Sequence, residues 1–249
     1  MRSWMIAGLV LLAGCAGQTG STGSPGFDQG LRDRAKAHTE LGAGYFRQGQ
    51  MEIALAEFND AVNADPSYSF AYNGLGLVYA NLREDSKAEA NFKRAIELEP
   101  NNSESHNNYG TFLCARNRVD ESMTQFMEAV KNPLYITPGA AYLNAGICSL
   151  KKQDVKNAEL YFRNALQVQP DLHAAAYQLA LIAFNRGDHL LARGYLLNAM
   201  AENPRPEMLW LGIRVERVLG DKDAEASYSL LLKNKYPDSE QTKALLSGQ

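Results

Sequence analysis

The chain has little that would let it hold nucleic acid or carry out chemistry. Its 25 basic residues are outnumbered by 28 acidic ones, a formal charge of −3, and it lacks the basic stripe that a phosphate backbone requires. There is no H-E-x-x-H for zinc, no G-x-S-x-G elbow for a nucleophilic serine and no G-x-x-x-x-G-K loop for phosphates. The histidines, His38, His106, His173 and His189, are scattered, and the acidic trio Asp221, Asp223 and Glu225 lacks the glycine and spacing of a calcium loop. The expectation is a protein that is not an enzyme, with no catalytic residue, metal, cofactor, small-molecule substrate or nucleic acid. Long apolar runs are missing too: the uncharged stretch Met5 to Ala13 falls short of the roughly 20 residues that cross a bilayer.

What is present begins at that stretch. Arg2 precedes it and LLAGC, Leu11 to Cys15, ends it, which is the layout of a secretory signal. Leu12, Ala13 and Gly14 ahead of Cys15 resemble the lipobox of bacterial lipoproteins. The resemblance implies that residues 1–14 are removed as a signal peptide and that Cys15 becomes lipidated. Ala16 in place of an aspartate implies delivery to the outer membrane. An ordinary signal with a chance cysteine is the alternative. Residues 15–33, in which AGQTGSTGSPG follows Cys15, read as a flexible tether reaching on the order of 20 Å.

The body, 45% apolar, repeats itself. Leu41-Gly42, Tyr45, Ala54, Phe58, Ala61 and Pro66 recur 34 residues later as Leu75-Gly76, Tyr79, Ala88, Phe92, Ala95 and Pro100. A third unit keeps Gly110, Phe126 and Ala129, with Pro133 one residue early and two extra residues before the next unit. A fourth restores Gly146, Ala158, Phe162, Ala165 and Pro170; a fifth is weaker, with Ala180, Ala192, Leu196, Ala199 and Pro204. A sixth has Trp210, Ala226, Leu230 and Pro237, with Arg214 where a small residue is expected and so assigned to a solvent-facing terminal cap.

The pattern resembles the tetratricopeptide repeat. It implies an all-α solenoid, a right-handed superhelix of six helix-turn-helix units over residues 34–237, followed by a tail at 238–249. Small residues such as Gly76 and Ala88 let the paired helices A and B approach, while Tyr79 and Phe92 fill the space between units. His38 and His106 fall in a slot where this family often has an aromatic residue.

In that family the concave face is lined by helix A, and the corresponding positions include Phe46, Phe70, Asn73, Leu77, Asn107, Tyr177 and Phe184. Such a face suits an amphipathic or extended partner segment held by aromatic anchors. Asn73 and Asn107, one repeat apart, are placed to bracket a peptide backbone. Turning of these side chains into the core, or simple solvation of the asparagines, gives the same pattern. Export would put Cys114 and Cys148 in an oxidising compartment, where a disulfide would staple units three and four across the irregular KNPLYITPG connection; buried reduced thiols are the alternative.

Lipobox, tether and six repeats in this order resemble the PilF/PilW family of type IV pilus biogenesis lipoproteins. The family implies a pilotin: a scaffold on the periplasmic face of the outer membrane, lipid-anchored, that binds secretin subunits and promotes their localisation and multimerisation. A general periplasmic adaptor for peptidoglycan enzymes or outer-membrane assembly factors is the other reading.

Overall fold

The computed structural model describes residues 25–248, so Cys15, the signal and most of the tether lie outside the described residues. Thirteen helices and no strands are found among them. Twelve form antiparallel pairs: α1 (Pro25–Arg47) with α2 (Met51–Ala64), α3 (Ser69–Asn81) with α4 (Asp85–Leu98), α5 (Ser103–Ala115) with α6 (Val119–Lys131), α7 (Pro138–Lys151) with α8 (Val155–Val168), α9 (His173–Asn185) with α10 (His189–Ala199), and α11 (Pro206–Leu219) with α12 (Lys222–Lys235). The last, α13, runs over Glu240–Leu246.

Local chemistry sets the boundaries. Asn102, Asp154, Asp188, Asp221 and Ser239 each accept a hydrogen bond from the backbone N–H three residues on, satisfying donors that a helix start leaves open. Asp221 is therefore a cap and Glu225 a partner of Arg217 at 2.9 Å, which accounts for two members of the acidic trio. Every turn within a pair contains one residue with positive φ: Gly49, Arg83, Asn117, Gln153, Gly187 and Gly220. Three of these are not glycine and hold the left-handed conformation at a cost that the flanking helices sustain.

Every pair except α9 with α10, where Ala180 meets Leu196, is locked by a ring set against a residue with no side chain. A Cβ on Gly76, Gly110 or Gly146 would lie 2.7, 2.7 or 2.4 Å from Phe92, Phe126 or Phe162 of its own unit. Phe92 does more than fill the space between units, since it packs within its own and also meets Tyr109 at 5.8 Å and Phe112 at 5.6 Å in the next. Between units, polar clamps add to the apolar contacts. Glu89 accepts from Arg118 at 2.7 Å and from the Tyr109 hydroxyl at 2.9 Å, joining α4 to α5 and to the start of α6. Buried Glu216 of α11 is held by Arg193 of α10. Cys114 of α5 is bonded to Cys148 of α7, with Cα atoms 5.9 Å apart.

The structure corrects three expectations. Residues 25–33 are not tether but the first turns of α1. Ala35 is fully buried beside Ala61 and Ala71, and Arg32 lies over the Tyr68 ring at 5.4 Å, so a helix anchored there extends back through its polar start. Residues 240–246 are not tail but a helix, whose Leu245 packs on Leu209, Ile213 and Leu232. The sixth unit is locked by Gly212 against Tyr228, two residues ahead of the expected alignment, which takes Arg214 out of the small-residue slot.

Candidate functional site: the wall of A helices

Successive first helices touch one another, α1 on α3, α3 on α5, α5 on α7 and α9 on α11, while the second helices stand further apart. The array therefore curves with the first helices inside, and their free faces form one wall. This places the seven residues expected there along the wall, but in different settings.

Phe46 and Leu77 are half-buried, packed on the clusters around Phe58 and Phe92. Phe70 lies 5.5 Å from Tyr68 and lines a cleft of about 540 Å³ with Asn107, Asn108, Tyr135 and Ile136. Asn73 is only 4% exposed, and its side-chain oxygen accepts from Asn108 at 3.3 Å. Asn107 accepts from Asn144 at 3.0 Å, and the same Asn144 nitrogen reaches Thr111 at 3.3 Å. The asparagines thus form a ladder across α3, α5 and α7 rather than two separate brackets. Tyr177 and Phe184 belong to another patch, packed on Ala180, Leu196 and Leu211 in units five and six.

Three features were missed. Asn108 and Asn144, each one residue beyond a position expected on the wall, bridge adjacent units. In the connection between units three and four, Leu134 and Ile136 stand 85% and 93% exposed at the rim of the Phe70 cleft; the two extra residues of that connection were the available signal. Arg214 lies with its guanidinium 4.5 Å from the centre of the Phe184 ring, on the wall rather than at the end of the array.

Burial pushes the hydroxyls of Tyr135 and Tyr177 up from their ordinary value. His106, buried, engages both ring nitrogens, with Gln125 at 2.7 Å and the Pro100 carbonyl at 2.9 Å; His38 pairs with Glu57 at 2.7 Å. Among the described residues no group of His, Cys, Asp or Glu is arranged to hold a metal. What the wall offers is apolar clefts edged by amides, which suits an extended peptide.

Models of the tetratricopeptide repeat match residues 69–102, 91–131 and 143–207. The chain is 30% identical to the type IV pilus assembly protein PilF of Pseudomonas aeruginosa over 213 residues, 85% of this chain and 84% of that protein. The solved structure of Pseudomonas aeruginosa PilF superimposes with a TM-score of 0.78 at 28% identity, covering 88% of this chain and 100% of the other. The crystal structure of PilW, a widely conserved type IV pilus biogenesis factor, does so with a TM-score of 0.72 at 33% identity, covering 85% and 98%.

Proposed function

This chain belongs to the PilF and PilW family of tetratricopeptide-repeat proteins in type IV pilus biogenesis, and on that premise we propose that it is a pilotin. It is anchored to the periplasmic face of the outer membrane through lipidated Cys15. It binds secretin subunits along the wall of first helices and promotes their localisation and multimerisation. The observation that carries the reading is the extent of the likeness: the match to PilF spans 85% of this chain and 84% of that protein, far more than one repeat. The wall supports it with a cleft that offers Phe70 and Ile136 as apolar anchors beside the amides of Asn107 and Asn108.

Deletion of the gene should abolish secretin multimers and surface pili; intact multimers would turn the reading toward a general periplasmic adaptor. Cys15→Ala should remove the protein from the outer membrane, since stable anchoring depends on the acyl chains, and persistence there would exclude the lipobox. Phe70→Ser combined with Ile136→Ser should weaken secretin capture roughly thirtyfold, as loss of an anchor worth about 2 kcal/mol requires. The melting temperature should hold, because both residues border open space. Unchanged capture would move the docking surface off this cleft.

A further inference from the structure

The patch formed by Tyr177, Phe184 and Arg214 has unused bonding capacity. The Arg214 guanidinium carbon lies over the Phe184 ring, 4.5 Å from its centre, and His189 meets the same ring edge-on at 5.2 Å. A guanidinium carries five N–H donors, and contact with a ring face leaves donors free for an acceptor. Arg214 is exposed and forms no ion pair or hydrogen bond among the described residues, unlike Arg193, Arg186 and Arg217 nearby, which are paired with Glu216, Glu159 and Glu225. Tyr177 packs on the same cluster as Phe184, and Glu207 and Arg205 at the start of α11 are spent on each other at 3.1 Å. Lys151, further along the wall, donates to the Cys114 carbonyl at 3.2 Å. An exposed cation held over an aromatic ring, with no carboxylate of its own, is matched by a carboxylate from elsewhere.

We infer that Arg214, held over Phe184 on the cluster that Tyr177 also covers, receives an acidic side chain from an extended segment of the partner protein. This deepens the pilotin reading and rests on it for the partner's identity. The occupant is a segment rather than a lone anion, because Leu181, which shares a cluster with Phe184, also lines a mainly apolar cleft of about 450 Å³ with Leu150 of α7, Val155 and Glu159 of α8 and Asn185 of α9. Helix axes about 10 Å apart and about 3.1 Å per residue of a segment in the polyproline II conformation, whose side chains return to the same face every third residue, separate the cleft from Arg214 by about three residues. The segment is thus expected to carry an apolar residue and, about three positions away, an aspartate or glutamate.

The test uses the full chain and two synthetic peptides in a Ser/Thr background, one with leucine and glutamate three residues apart, the other with glutamine for the glutamate. The first should bind about tenfold or more tightly than the second, and the difference should shrink at about 0.5 M salt. Arg214→Gln should erase it while leaving the melting temperature unchanged, and Arg214→Lys should restore part of it. Equal binding of the two peptides, no binding of either, or a preference that survives in Arg214→Gln overturns the inference. Purified secretin subunits form a separate arm. Capture by the wild type that is lost in Arg214→Glu supports it, and equal capture by both overturns it with the pilotin reading intact. Failure of the wild type to capture secretin overturns the pilotin reading, and the peptide result still decides the role of Arg214.

Discussion

Gly146 has a hydrogen where a methyl group would lie 2.4 Å from the Phe162 ring, whereas nothing lies within 4 Å of the same point on Gly194. Both are mid-helix, so the same substitution should act in opposite directions. Gly146→Ala overpacks the lock and should cost about 1–3 kcal/mol. Gly194→Ala keeps only the helix-propensity gain and should add up to about 1 kcal/mol. Urea midpoints of the two variants check this, and similar shifts for both would mean that the rings do not set the helix spacing. The lock was legible in the sequence because the glycine and phenylalanine slots keep their residue types over four units. It was misread in the sixth unit because a tyrosine replaces the ring residue there. The match of Leu230 and Pro237 to the period outweighed Gly212, and Arg214 was displaced from the wall as a result. Asn144 was missed for a different reason, since a side chain that bridges neighbouring units does so through the local superhelix and not through its position in one repeat.

At the scale of elements, the contacts between pairs give two measurable signatures. Arg118, Lys93 and the Tyr109 hydroxyl hold the Glu89 carboxyl down at about 2, below its ordinary 4.5. A carboxyl depressed in the folded state means that the unfolded chain binds the proton first as pH falls. The clamp's contribution is therefore fully present above about 4.5 and is lost between there and about 2. Glu89→Gln should cost about 1.5–3 kcal/mol at neutral pH. The gap to the wild type in denaturant midpoint should narrow as the pH is lowered through that interval; a gap constant from pH 7 to 3 would remove the clamp from the account. The second signature is the bond between α5 and α7. Peptide mapping without reductant should recover Cys114 joined to Cys148, and Cys114→Ser should cost about 2–4 kcal/mol for a loop of 34 residues. Free thiols at both positions after denaturation would refute it. The pair could be named from sequence because equivalent turns of neighbouring helices face each other. The start of α1 and the whole of α13 could not, because neither carries the repeat and both are ordered by contacts made elsewhere in the fold.

For the molecule as a whole, those two elements close the array. α13 covers Leu209, Ile213 and Leu232, which a following unit would otherwise bury. A chain ended at Pro237, the boundary that the repeats alone suggest, should lose at least about 2 kcal/mol as these side chains meet water. Its melting temperature should fall, and an unchanged value would make α13 dispensable. The order of six units was legible over the full length because stacking repeats one solution to one packing problem. The wall's clefts were less so, since they arise where the repetition lapses, at the connection around Ile136 and at the degenerate sixth unit. The locks also bear on descent. In units two, three and four the glycine and its ring lie in the same helix pair, so a gene that gains or loses one such unit changes the length of the wall without any of these locks having to be matched again. The bond from Cys114 to Cys148 does not share this freedom: its halves sit in different units, so a lineage that drops either unit strands a cysteine in the other, and the two are inherited as one piece.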